Sequence, residues 1–193
     1  MVLISGGGSN LADLFTRLEA ADSPPVDIVA VGSDRQAEGL SHATNRSVPS
    51  FVVSLGDFAD REAWGLALAE RIGSFSPDLV ILSGFMKLLP PVVVERFSPQ
   101  LINTHPAYLP EFPGAHAVAD QIAAGVDQAG ASVIVVDNGV DTGPILARER
   151  VAVEPGDTEQ SLHDRIKQVE RQLLWEVLND PAVLAGHSGG ENN

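Results

Sequence analysis

The chain contains no cysteine. That absence excludes disulfide staples, a thiol nucleophile and any cysteine-ligated zinc site. Basic residues are scarce as well: 12 Lys and Arg stand against 26 Asp and Glu, a formal net charge of −14 with a pI near 4.5. Nucleic-acid binding depends on clustered cations that neutralise phosphates, and the few basic residues here are scattered, so no nucleic-acid partner is expected. The same field opposes small anions at long range. A phosphate-bearing ligand would have to be held by close-range donors such as backbone amides. No apolar run approaches the length of a membrane span, and the strand pattern starts at Val2 with no basic leader before it. The expectation is a soluble, cytoplasmic protein with no membrane partner.

What is present fits a globular domain: 193 residues, 44% hydrophobic and 20% charged. A chain of this size buries roughly 70% of its unfolded surface. Short apolar strands alternate with amphipathic stretches. Val2–Ile4 reads as a strand, Leu11–Ala20 as a helix, Asp27–Val31 as a strand and Gln36–Thr44 as a short helix. Pro49–Val53 then reads as a strand, Arg61–Ser74 as a helix and Leu79–Leu82 as a strand. Pro90-Pro91 opens another short helix before the strand Leu101-Ile102-Asn103. This βαβα rhythm predicts a parallel sheet covered by helices.

After that the order changes. Tyr108–Pro113 reads as a loop and Ala115–Ala124 as a helix ended by Gly125. Ala131–Val136 and Ile145–Val153 read as an antiparallel pair joined by the turn Asp137–Pro144. Asp157-Thr158-Glu159-Gln160 reads as a capping box for a last helix, whose stripe is Leu162, Ile166, Val169, Leu173 and Val177. The predicted fold is α/β: a single-domain Rossmann-like open sheet, parallel in its N-terminal half, with mixed or antiparallel C-terminal strands and helices on both faces. With no repeat and no long linker, one domain over 1–185 is expected, followed by a frayed polar tail, 186–193.

Two features carry chemistry. Ser5-Gly6-Gly7-Gly8-Ser9-Asn10 lies between the first strand and the first helix. Glycines there admit close approach to a ligand, the helix N-terminus offers unpaired amides, and Ser9 can cap that helix. The loop lacks the Lys of a P-loop and fits a dinucleotide fingerprint poorly; an anion site and a plain tight turn both remain open. The second feature is Asn103-Thr104-His105-Pro106 with Asp141-Thr142-Gly143-Pro144. Alternate residues on a strand share a face, so Asn103 and His105 point together. An amide to steady an oxyanion, an imidazole to handle protons and a carboxylate to orient it are what acyl transfer requires. The histidines at 42, 105, 116, 163 and 187 show no ligand spacing, so no metal is expected.

With Gly84-Phe85-Met86-Lys87-Leu88-Leu89 and the extension Ala107-Tyr108-Leu109-Pro110, these segments resemble the phosphoribosylglycinamide formyltransferase family of folate-dependent formyltransferases, over residues 2 to about 178. The Asn-x-His-Pro and Asp-x-Gly elements mark the superfamily; the N-terminal Gly-Ser-Asn loop narrows it to this branch. The resemblance implies transfer of a formyl group from 10-formyltetrahydrofolate, a cosubstrate, to the amine of 5′-phosphoribosylglycinamide in purine biosynthesis. It implies Asn103, His105 and Asp141 as the catalytic set, and Gly8, Ser9, Asn10 and Glu170 as contacts to the phosphoribosyl substrate. Unaided, Glu170 reads as a solvated helix charge and His116, matched to a second histidine near the site, as a surface loop residue. The folate pocket is implied at Met86, Lys87, Leu88 and Leu89 and at Asp137, Asn138, Gly139, Val140 and Asp141, with Asn103 beside them and Arg61 reaching the glutamyl tail. Phe85-Met86 and Leu88-Leu89 suit a flat pterin ring, and equally an ordinary core beneath a strand end.

The sequence departs from the family pattern at Gly7, at Thr142 in place of a frequent Gly, and at Glu111, where a basic residue is common. Glu111 leaves open how the 108–116 loop meets the charged substrate. Partners are expected to be small molecules only, with the chain a monomer or homodimer. The alternatives are a formyltetrahydrofolate hydrolase, a formyltransferase with another acceptor such as methionyl-tRNA, and a non-catalytic sugar-phosphate or nucleotide-binding module.

Overall fold

Strand β1 (Val2–Ile4) has no solvent-exposed residue, and a strand of this kind must be covered on both faces. The computed structural model, which describes residues 1–181, shows how. The strands are β1, β2 (Val31–Ser33), β3 (Ser50–Val52), β4 (Val80–Leu82), β5 (Leu101–His105), β6 (Gln128–Val135) and β7 (Ile145–Ala152). The helices are α1 (Ser9–Ala20), α2 (Leu40–Thr44), α3 (Arg61–Gly73), α4 (Pro91–Phe97), α5 (Ala117–Ala124) and α6 (Glu159–Asn179), with a 3-10 turn at Leu55–Asp57. The strands hydrogen-bond in the order β3-β2-β1-β4-β5-β6-β7, giving one open mixed α/β sheet. The expected tail at 186–193 lies outside the described residues.

The described residues divide into two compact units, the first comprising Met1–Asn103 and Val136–Asn138 and the second Thr104–Val135 and residues 139–181. In the first, β3, β2, β1, β4 and β5 pair in parallel, with Leu3 opposite Gly32 and Leu82 opposite Asn103. Met1, Leu3, Val80, Leu82 and Leu101 pack in one cluster with Trp64 and Leu68 of α3 and Val93 and Val94 of α4. The residues between them, Val2, Ile4, Ile81 and Ile102, are equally buried but lie outside that cluster. The period of two thus shows a sheet buried on both faces. Trp64, wholly buried, donates its indole N–H to the Val53 carbonyl at 2.9 Å, which satisfies the one polar atom of that side chain.

In the second unit β6 and β7 form an antiparallel ribbon, with Gly130 opposite Arg150 and Ser132 opposite Arg148. Helix α6 buries Leu162, Ile166, Leu173, Leu174, Val177 and Leu178. Its predicted stripe needs one correction: Val169 is half-buried and Glu170 occupies a buried position. The cap differs in its partner. Thr158 is the N-cap, but the reciprocal bonds run to Ser161, not to Glu159 or Gln160.

Two other boundaries moved for physical reasons. The second strand begins at Val31, whose N–H is bonded to the Pro49 carbonyl; Val29, in the predicted span Asp27–Val31, is 41% exposed. Helix α2 starts only at Leu40, not Gln36, because Gly39 donates to the Gly6 carbonyl at 3.1 Å. A Cβ at Gly39 would stand 2.8 Å from that carbonyl oxygen and 2.9 Å from the Gly8 nitrogen. The position is held to glycine by the loop it touches.

Candidate active site

Strand β5 carries Asn103 and His105 on the same side, since alternate residues share a face. Asn103 is half-buried and His105 is buried. In the second unit both ring nitrogens of His105 face oxygen atoms. Its Nε2 lies 2.9 Å from the carbonyl oxygen of Phe112, which can only accept, so Nε2 carries a proton. Its Nδ1 faces Oδ2 of Asp141 at 3.4 Å. Asp141 Oδ2 also accepts from the backbone N–H of Gly114 at 2.8 Å.

The segment after His105 therefore supplies both supports, a carbonyl for the ring and an amide for the acid. Phe112 (φ 51°) and Asp141 (φ 54°) adopt the left-handed backbone region, at a cost of order 1 kcal/mol each for a non-glycine residue. Other buried polar groups hold the segment's start. Gln121 donates to the carbonyls of Pro106 and Ala117, at 2.9 Å each. Ser132 donates to the Ala107 carbonyl at 2.7 Å and accepts from the Leu109 N–H at 3.0 Å. A cavity of about 200 Å³ opens between Leu109, Pro110 and Pro113 on one side and Val140, Asp141 and Thr142 on the other. Arg150 forks onto Glu111 at 2.7 and 2.6 Å and holds that carboxyl below its usual range.

In the first unit, Gly8 rather than Ser9 stands at the N-cap of α1, with no side-chain cap. Ser9 is the first helical residue, and Asn10 follows half-buried. The glycine loop is tethered on two sides: His42 Nε2 donates to the Gly7 carbonyl at 3.1 Å, and Ser5 Oγ accepts from the Met86 N–H at 2.8 Å. Ser5 also reaches the buried carboxylate of Asp34. Burial pushes Asp34 up, but the guanidinium of Arg35 and the Ser5 hydroxyl outweigh it and hold the group below its ordinary value.

Met86 and Leu88 are apolar yet 67% and 61% exposed, an uncovered surface that suits a flat ring. Lys87 and Leu89, between and after them, are half-buried. Arg61, at the start of α3, donates to the Leu88 carbonyl and lies over the Trp64 ring with its Cζ 5.6 Å from the centroid. Asp137 and Asn138 belong to the first unit, Gly139 and Val140 to the second, where Val140 is 43% exposed. Glu170 is buried on α6 and has an interaction partner, so its reading as a solvated charge is corrected. His116 is exposed at the N-cap of α5. Among the described residues no group of three or more His, Cys, Asp or Glu is placed to hold a metal ion.

Sequence reasoning missed the backbone partners, Phe112 O and Gly114 N, which no side-chain motif can signal. Ser5 was read only as the start of the glycine loop; its contacts to the Met86 N–H and to Asp34 were not.

The sheet order is that of an open mixed α/β fold, and the chain belongs to the formyl transferase family, whose profile matches residues 1–178. Among its relatives, a phosphoribosylglycinamide formyltransferase of Mycobacterium tuberculosis is 46% identical over 187 residues, covering 97% of this chain and 85% of its own length. The protein of that name from Bacillus subtilis is 32% identical over 190 residues, covering 98% and 96%. Among solved structures, glycinamide ribonucleotide transformylase 1 from Symbiobacterium toebii superposes with a TM-score of 0.89 at 35% identity, covering 96% of this chain and 86% of that one.

Proposed function

We propose that this enzyme transfers the formyl group of 10-formyltetrahydrofolate to the primary amine of 5′-phosphoribosylglycinamide, giving N-formylglycinamide ribonucleotide and tetrahydrofolate in purine biosynthesis. The observation that carries the mechanism is His105 held between the Phe112 carbonyl and the Asp141 carboxylate. The amine attacks the formyl carbon to give a tetrahedral intermediate. Asn103, on the same face of β5, donates its amide to the oxyanion, and the charged imidazole adds a positive field. Asp141, through a water, takes the proton lost by the amine and returns it to the departing folate nitrogen. Each bond formed is matched by one broken, and no redox step intervenes.

The remaining assignments follow the same reading. Gly8, Ser9, Asn10 and Glu170 bind the phosphoribosyl substrate, the first three through amides at the start of α1, where a helix N-terminus favours an anion. Met86, Lys87, Leu88 and Leu89 bind the folate, with Arg61 reaching its glutamyl tail, and Asp137, Asn138, Gly139, Val140 and Asp141 also contact it. Residues 1–185 act as one catalytic domain, as a monomer or homodimer in the cytoplasm, with small-molecule partners only. Incubation with 10-formyltetrahydrofolate, with and without glycinamide ribonucleotide, tests the reaction. Amine-dependent release of tetrahydrofolate supports it; amine-independent release identifies a hydrolase, and no release in either case leaves a binding module.

A further inference from the structure

Alternate residues on one face of the β6–β7 ribbon converge on a single segment of backbone. Gly130 pairs with Arg150 and Ser132 with Arg148 across the two strands, and cross-strand partners at alternate positions share a face. Over that face lies the chain from Ala107 to Glu111. Tyr108 sits against Gly130, where an added Cβ would come 2.6 Å from the tyrosine Cβ and 3.0 Å from its nitrogen. The guanidinium carbons of Arg148 and Arg150 lie 4.3 and 3.8 Å from the centre of the Tyr108 ring. Arg148 also donates to the Leu109 carbonyl, and Arg150 forks onto Glu111. Immediately beyond Glu111, the Phe112 carbonyl accepts from His105 and the Gly114 N–H donates to Asp141. The ribbon thus grips the segment just before the two backbone groups that fix the imidazole and the acid.

We propose that Arg148, Arg150 and Glu111 are positioning residues, which set the Phe112 carbonyl and the Gly114 amide so that His105 and Asp141 meet in register; the inference rests on the formyl-transfer reading above. None of the three touches the reacting atoms in this scheme. Planarity matters as much as charge, because a guanidinium both forks onto a carboxylate and stacks on a ring, which an ammonium cannot do. The Glu111 departure then acquires a role: where a basic side chain would repel Arg150, a carboxylate locks onto it.

Two variants and two readouts test this. Glu111→Gln removes the charge and keeps the shape, while Arg150→Lys keeps the charge and removes the fork and the stack. Both positions are exposed, and circular dichroism verifies that each variant is folded. The first readout is hydrogen exchange of the His105 Nε2–H, followed by nitrogen-edited NMR on the substrate-free protein and assigned by its loss in His105→Ala. Exchange should accelerate about tenfold or more in both variants as the local contact opens. The second readout is steady-state kinetics: kcat should fall about 10- to 100-fold, the scale of a small misplacement, with KM for both substrates near the wild-type value. Unchanged exchange overturns the proposal, and so does faster exchange with unchanged kcat. If the wild-type protein turns over neither substrate while exchange still responds, the positioning geometry is supported and the formyl-transfer reading is what fails.

Discussion

At the scale of single residues, the account rests on which atom each side chain faces. His105 has one ring nitrogen on a carbonyl and the other on a carboxylate, so removing either charge partner unbalances a buried site. Asp141→Asn is nearly isosteric but removes the carboxylate that faces His105 Nδ1 and is proposed to carry the proton. Asn103→Ala removes the proposed oxyanion donor, and its turnover should fall roughly 10²- to 10³-fold. His105→Ala and Asp141→Asn should fall at least as far, in variants verified as folded by circular dichroism. Near-normal turnover in any of the three would remove that residue from the mechanism. Gly39→Ala probes the tether of the glycine loop. Its new Cβ would meet Gly6 O and Gly8 N, both backbone atoms that cannot rotate away. The expected outcome is a raised KM for glycinamide ribonucleotide with little change in KM for the folate, read from initial rates; equal changes in both would contradict a role for this loop in the ribonucleotide site.

At the scale of elements, the start of α6 makes a testable electrostatic unit. Asp157 is held far below the usual carboxylate range first by the Arg165 guanidinium, then by the Glu154 N–H and the Ser161 hydroxyl. A carboxyl whose folded pKa is depressed adds stability that is complete above its unfolded pKa, about 3.9, and is lost as pH falls toward the folded value. Asp157→Asn should therefore melt below wild type at pH 7, and the gap should close as the pH is taken from 5 toward 2. A gap that widens in acid would contradict the assignment.

Elements also show where reading the sequence succeeded. The strand-helix alternation, the parallel half and the antiparallel β6–β7 pair were legible because hydrophobic period and punctuation by Gly and Pro are local signals. His105 and Asp141 were legible as residue types that pair, and the structure brings them to 3.4 Å of each other. The burial of Glu170 was not, because a charge on a helix reads as solvated until its tertiary neighbours are known. The late start of α2 was set by Gly6, distant in sequence. The Tyr108 stack depends on cross-strand register, which no local pattern specifies.

At the scale of the whole molecule, the net charge of −14 acts on every anionic substrate before contact. Long-range repulsion is screened as the Debye length falls from about 30 Å at 0.01 M salt to about 8 Å at 0.15 M. At sub-saturating glycinamide ribonucleotide, kcat/KM should hold or rise across that range, the reverse of a cationic site that steers its ligand. A steep fall with salt would place an attracting field at the site despite the acidic total. Among the described residues no helix is long and apolar enough to cross a membrane.

The claim on which the rest depends is that the carbonyl carbon moves from folate nitrogen to substrate amine on this protein. The direct measurement uses 10-formyltetrahydrofolate carrying ¹³C in the formyl group, incubated with enzyme and glycinamide ribonucleotide and followed by carbon NMR. The account predicts that the label appears in an N-formyl amide on the ribonucleotide, one equivalent for each tetrahydrofolate released. Label recovered as free formate, or remaining on the folate, would contradict it.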